Sequence, residues 1–546
     1  MKFRKVLLFF MIVSFGLIVE GIHQARTVFN DESSDGFRGF RALRSLRFDG
    51  DSPFSKFRGP SYDFTESQTT DAAGITAIEI ANEFGDVTIR RTSDPKAQIG
   101  IGLRKEVFTR RSESAESISD KVKLVIKREG GLLRVSAPRD NGGEYRVRTH
   151  IEIDTPSPLD TRITNRHGKI TVEGAKAVNV SGEFDEMRVA DVTGDCTAKN
   201  RHGNLEVVSA VLGCHVEVEY GQVHVEKLLA PSRIDVSHGN LSAVDLAALT
   251  ANLKFSDLQA RKIAGALVTE GEHSDLRIDD VKGDVTLNNQ GDIDIQNITG
   301  RVNIDNQRGH VRLLKAAGAV LIKNTFEDVS ITDVGGLLEV TNQHGSIHAH
   351  RFLKGARLET DSEDVRAADF SGPLNITVKR GDVRVKPIRS VLSPIDIRVD
   401  IGDVTLALPE SINALIDASV ERGKVEGNVG ALKSSEQGKR VLKATIGAGG
   451  ALLRLRSRLG DISVSGEDGL DTDEADLPDA PEIDTRFRMH PGADPLPAMP
   501  KTPEMPVIPP AAKAPKAPKA PKAPKMPEGS ALPVPPAAPT ATPHNW

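Results

Sequence analysis

Aromatic residues are scarce in this chain: Phe, Trp and Tyr make up 4% of 546 residues, with a single Trp and three Tyr. A thin interior, with room for Val, Ile, Leu and Ala and little else, suits that composition better than a broad globular core. Cysteine is nearly absent. Cys196 and Cys214 are the only two, so any covalent staple is a single one. Charge of one sign is not in excess either, with 27% charged residues and a net charge of −5, which argues against a generic nucleic-acid binder. The chain has no Ser/His/Asp elbow, no P-loop and no dinucleotide fingerprint. No isolated pair of carboxylates stands apart from the rest. The expectation is a non-enzymatic protein with no cofactor, no metal and no small-molecule substrate.

What the chain does have is a turn that recurs about every 18 residues. Its glycine stands at Gly85, Gly168, Gly203, Gly221, Gly239, Gly291, Gly309, Gly345, Gly381 and Gly402, and Asp185, Ser256, Ser274, Glu327 and Glu363 take its place in intervening copies. A fixed period of this size marks a solenoid, whose repeats bury their apolar faces only by stacking on one another. After each turn the apolar residues alternate, as in Ile293 and Ile295 or Val311 and Leu313. Period 2 means strand. A second glycine, such as Gly283, Gly300, Gly318 or Gly336, precedes each turn by roughly nine residues and opens another alternating stretch. Each repeat is therefore strand, turn, strand, turn, and the fold class is all-β, a narrow parallel β-solenoid. Thirteen or so regular coils at about 4.8 Å each make a rod of roughly 60 Å.

Two further stripes follow the same period. Three residues before the turn stand Asn165 and Asn200, then Asn288, Asn306, Asn324 and Asn342 in four consecutive coils, which reads as a structural ladder of stacked amides. Immediately before the turn stand His167, Phe184, His202, Tyr220, His238, Phe255 and His273, then Phe326 and His344. Cys196 and Cys214 fall at the same inward position of neighbouring coils. They either form a disulfide in an oxidising compartment or fill two small apolar sites as buried thiols.

The ends differ from the middle. Residues 1–23, with Lys2, Arg4 and Lys5 ahead of an apolar run from Val6 to Val19, have the layout of an export signal or an uncleaved membrane anchor. Either one places the rest outside the cytoplasm, in the periplasm or at the cell surface. Residues 24–70 read as an irregular, disordered basic linker, residues 71–466 as the solenoid, and residues 467–546 as a disordered tail, first acidic and then rich in Pro, Ala and Lys. Within the solenoid, residues 71–160 and 387–466 read as irregular capping coils around regular coils at 161–386, with Pro387, Pro394 and Pro409 interrupting the second set.

The G-D-[IV] turns in FGDVTI at Gly85, QGDIDI at Gly291, RGDVRV at Gly381 and IGDVTL at Gly402 resemble those of the bacterial putative-adhesin family of exported β-solenoid domains. The opening IEIANEFGDVTI and the closing IGAGGALLRLRSRLGDISV resemble the two ends of that domain, over roughly residues 74–466. The resemblance implies an envelope role and supplies no catalytic residues.

Two metal readings bear on the stripes. Asp257, Asp275 and Asp292 follow the turn in successive coils, as do Asp364, Asp382 and Asp403. Either calcium relieves their repulsion or the carboxylates satisfy nearby backbone N–H groups, and the missing G-G-x-G-x-D nonapeptides favour the second. His202, His238 and His273 stand two coils apart, too far to share one zinc ion. The expected function is an adhesin-like module offering a repetitive sheet surface to an envelope or extracellular polymer or protein. The competing expectation is a scaffold that associates end to end.

Overall fold

The computed structural model describes residues 60–466 apart from 93–97, 110–111, 139–146, 389–392, 410–411 and 430–431. The expected signal or anchor, most of the linker and the tail lie outside the described residues. Among the described residues, no helix is long and apolar enough to cross a membrane.

The middle of the chain is a parallel β-solenoid of about 14 turns with about 18 residues per coil. In a typical coil, Val302, Ile304 and Asn306 point inward from one strand, and Val311, Leu313 and Ala316 from the next. Alternation breaks once per coil, between Leu313 and Ala316. The break lies at the sixth residue after the turn, where the backbone is left-handed in eleven successive coils, for example Asp191 (φ 55°), Lys262 (57°), Lys315 (61°) and Asp369 (53°). Gly174 holds the same position one coil earlier, at φ 76°. This bend folds the second strand over the core.

Neighbouring coils pair in register, Val302 with Val320 and Val311 with Val329. Turn glycines stack just as closely. A Cβ on Gly221 would run into the carbonyl oxygen of Gly203 below it, and Gly221 also has a φ of 156°, at the edge of the region that favours glycine.

The amide ladder contains Asn165, Asn200, Asn306, Asn324 and Asn342, all buried, but not Asn288. Asn288 faces solvent in register with Glu270 and Asp305, and the buried rung is Asn289, paired with Asn306. The step from Ser274 to Gly291 is one residue short, and the shortening falls between the ladder and the turn. Asn82 adds a further rung at the N-terminal end. The amides act mainly on turn carbonyls: Asn306 Nδ2 donates to Arg308 O at 3.1 Å and Gly309 O at 3.2 Å, and Asn324 Nδ2 to Glu327 O at 2.9 Å. Asn306 Nδ2 also donates along the axis, to Asn324 Oδ1 at 3.2 Å.

Both ends are capped, and in the same way. The N-terminal elements are β1 (Ser61–Asp71), β2 (Ala77–Phe84), β3 (Val87–Arg91), β4 (Gln98–Phe108), helix α1 (Ser112–Ser119), β5 (Val125–Glu129), β6 (Leu132–Ser136), β7 (Val147–Thr155) and β8 (Asp160–Glu173). The linker expected through residue 70 thus ends earlier, because Tyr62 and Phe64 of β1 pack on the core while β1 pairs antiparallel with β4. Buried Lys105 ties this cap together, donating to Glu66 Oε1 at 2.5 Å and to the carbonyls of Ser119 and Val122. In space β2 lies between β6 and β8, and β3 between β7 and β8. At the other end the last strands, Ala451–Leu459 and Ile462–Gly466, lie between Ile395–Ile401 with Val404–Leu408 on one side and Ala414–Arg422 with Val425–Asn428 on the other. An antiparallel pair, Ala414–Arg422 with Val441–Ile446, then covers that end.

Candidate functional site

The ring stripe assembles into one column. Phe84, His167, Phe184, His202, Tyr220, His238, Phe255 and His273 stack face to face with centroids 4.5 to 5.3 Å apart and planes within 11 to 23° of parallel. The in-register strands set that spacing, since each ring stands beside the turn of its own coil. Gln290 and Arg308, also planar side chains, hold the position in the next two coils, and Phe326 and His344 then stack at 5.2 Å. Phe84 was legible in the FGD motif as the residue before the turn, one coil ahead of His167.

Stacked rings turn their faces to each other and their edges outward. Phe184, Tyr220 and Phe255 are 42%, 40% and 53% exposed, while Phe84 and His167 are buried. Aromatic edges carry partial positive charge, and the imidazoles between them bring ring N–H or N groups. The His167 imidazole is held below its ordinary pKa, first by burial and then by Arg166.

Charged residues alternate along the column. Arg166 pairs with Glu183 at 2.8 Å, Arg201 with Glu219 at 3.0 Å and Lys169 with Glu186 at 3.8 Å. In these pairs the basic groups sit in coils that carry histidine and the acidic groups in coils that carry Phe or Tyr, and the order reverses at Lys254 beside Phe255 and Glu272 beside His273. These pairs are exposed and contribute little to stability, but they leave this edge without a large field of either sign.

The aspartates after the turn are committed to backbone. Asp257 Oδ1 accepts the N–H of Asp275 at 3.2 Å, Asp275 Oδ1 that of Asp292 at 3.1 Å, and Asp292 Oδ1 that of His310 at 2.9 Å. Asp364, Asp382 and Asp403 repeat the pattern at 2.7 to 2.9 Å. Each carboxylate therefore fastens the next coil, and burial with neighbouring Asp257 and Asp292 pushes the Asp275 carboxyl up. Among the described residues, no group of three or more His, Cys, Asp or Glu side chains is placed to hold a metal ion. Cys196 and Cys214 are joined as a disulfide between neighbouring coils, with Cα atoms 4.6 Å apart.

Beside the start of the ring column the surface is concave. A cleft of about 550 Å³ opens where β6 ends, lined by Ala81, Asn82, Glu83, residues 136–138, residues 164–166 and residues 181–183. Sequence reasoning missed it, because strands far apart in the chain meet there.

A family model described as Toastrack DUF4097 matches residues 75–465. Among solved structures, the chain is similar to a putative adhesin from Bacteroides fragilis, with 14% identity over 46% of this chain and 97% of that one and a TM-score of 0.25. It is similar to a putative cell adhesion protein from Clostridium sporogenes, with 10% identity over 74% of this chain and 100% of that one and a TM-score of 0.15. A putative adhesin from Parabacteroides distasonis shows 11% identity over 60% and 97%, with a TM-score of 0.17. No curated protein matches the sequence.

Proposed function

Since the chain belongs to the Toastrack DUF4097 family, we propose that it is a non-enzymatic, exported binding module whose ring-lined edge holds an extended envelope or extracellular polymer. One observation carries this reading: a chain with 4% aromatic residues sets Phe184, Tyr220 and Phe255, interleaved with histidines, on one line where they are largely exposed and not needed to fill the core. The line is about seven strand spacings long, ~34 Å, and repeats a similar contact at every coil. Weak contacts repeated at that pitch add up along a polymer that can engage several at once. The cysteine pair supports an oxidising compartment, and the basic-then-apolar start of the chain supports export. The antiparallel caps speak against end-to-end assembly, since they cover the sheet edges that such assembly would use.

Cosedimentation of the full chain with insoluble envelope polymers tests the reading. The wild type is expected to cosediment, and the triple variant F184S/Y220S/F255S to lose at least tenfold in affinity. Unchanged binding by the variant overturns the ring-edge assignment. A protease-sensitive tag after Trp546, probed in intact and in opened cells, separates surface from periplasm.

A further inference from the structure

We infer that the corner of the rod formed by the second turn of each coil docks on an anionic lipid bilayer, through two sets of exposed leucines and the lysines beside them. This corner is a different edge from the ring column, and the inference goes beyond the polymer reading without depending on it.

The second turn lies half a coil round from the rings. Its first residue is Val211, Leu229, Ala247 and Ala264 in four successive coils, and each donates its N–H to the coil before, as Leu229 does to Ala210 O at 2.9 Å. Gly335 and Leu353 hold the same position farther along, bonded to Ala316 O and Val334 O. Among the described residues, the four most exposed large aliphatic side chains all stand at this corner: Leu229 (68%), Leu212 and Leu353 (58% each) and Leu337 (54%). A leucine exposed singly needs no explanation, but a row of them marks a contact surface.

The row has two sets. Val211, Leu212 and Leu229 make the first, and Leu337 with Leu353 the second, about six strand spacings or ~30 Å farther on. From Val211 to Gly355 the second turns carry only four charged residues, Lys282, Asp284, Arg301 and Lys354. Arg301 and Asp284 pair at 2.6 Å, while Lys282 and Lys354 make no ion pair among the described residues. The corner is therefore apolar with two surplus positive charges, one between the sets and one beside Leu353.

Its shape narrows the partner. The Cys196–Cys214 disulfide ties neighbouring coils just behind Leu212, and Gly213 is stacked so closely that a Cβ on it would meet Pro231 O. A corner held in this way is convex and stiff, with no groove for a helix and no open edge for a strand. A globular partner would need a matching trough at least ~30 Å long to meet both sets. A bilayer needs none: leucine tips sink among the headgroups and lysine ammonium groups stay at the phosphates, most favourably where the lipid is anionic.

Tryptophan placed at the corner of the full chain tests this, with the single natural Trp546 as background. Leu229→Trp and Leu353→Trp are exposed changes, and Ile401→Trp, also exposed but on the ring line of its coil, is the control. With vesicles of equimolar phosphatidylcholine and phosphatidylglycerol, the two corner variants are expected to shift their emission to the blue and to lose at least half of the added emission to brominated acyl chains. Ile401→Trp is expected to do neither. Lys282→Glu with Lys354→Glu should reduce the quenching at least twofold. No shift at positions 229 and 353 overturns the inference even where the chain sediments with the vesicles, because another segment then holds the lipid. Equal quenching of the control overturns it too, and quenching that ignores the lysine changes overturns the anionic-lipid assignment. A shift that needs no vesicles and grows with protein concentration gives the corner to a second copy of the chain and overturns the bilayer.

Discussion

Asp185 fills the space that Gly182 leaves empty. In that coil the ladder asparagine is replaced by Gly182 and the turn glycine by Asp185, whose carboxylate folds back over Gly182 and accepts from Asn165 Nδ2 at 3.3 Å. The two departures from the repeat thus compensate each other. Gly182→Asn alone is expected to destabilise by about 1–3 kcal/mol through overpacking, since its Cβ meets Asp185 and Met187. Gly182→Asn combined with Asp185→Gly restores the ordinary pattern and should recover most of the loss. Urea unfolding of the three proteins gives the coupling directly.

Burial pushes the Asp185 carboxyl up to about 7 from an ordinary value of 3.8. The folded chain holds this proton more tightly than the unfolded chain does. Its contribution is therefore fully present below about pH 4 and is lost as pH rises through about 7, on the order of 4 kcal/mol at most. Asp185→Asn should flatten the stability profile between pH 4 and pH 8 and gain on the wild type at the alkaline end. Unfolding midpoints at pH 4, 6 and 8 check this.

Asn306→Ala should cost about 1–3 kcal/mol, because Arg308 O, Gly309 O and Asn324 Oδ1 all lose a donor. Asn288→Ala, one coil away on the outer face, should stay within about 0.5 kcal/mol. Hydrogen exchange localises the effect, since a solenoid loses stability coil by coil.

Lys262 sits in the left-handed region at φ 57°, where a side chain costs about 1–2 kcal/mol. Lys262→Gly should therefore stabilise by about 0.5–1 kcal/mol after the added freedom of the unfolded chain is counted, and Lys262→Ala should not. Denaturation midpoints of the pair decide it.

Reduction of the Cys196–Cys214 bond, which closes a short loop, should lower stability by about 3 kcal/mol in the chain-entropy picture. Alkylation followed by mass spectrometry should find no free thiol until the chain is both unfolded and reduced.

The period, the strands and the ring stripe were legible because each repeat writes them at the same offset from a glycine. Asn288 was misplaced because that offset fails where a coil is one residue short, and only the alternation Val285, Leu287, Asn289 carries the true register. The bend six residues after the turn was hidden, since Asp, Lys, Asn and Arg stand where glycine would have announced it. The cleft was illegible for another reason: it depends on where β6 stops beside β2, a strand from much earlier in the chain, with β8 on the far side of β2.

The threading of the last coil has a mechanical consequence. Ala451–Leu459 and Ile462–Gly466 are hydrogen-bonded along both edges, to coils from earlier in the chain on either side. A pull on the C-terminal end therefore cannot peel an outer strand away one bond at a time. It has to draw the strands out from between two neighbours, loading both interfaces together, so tension at this end meets resistance in shear.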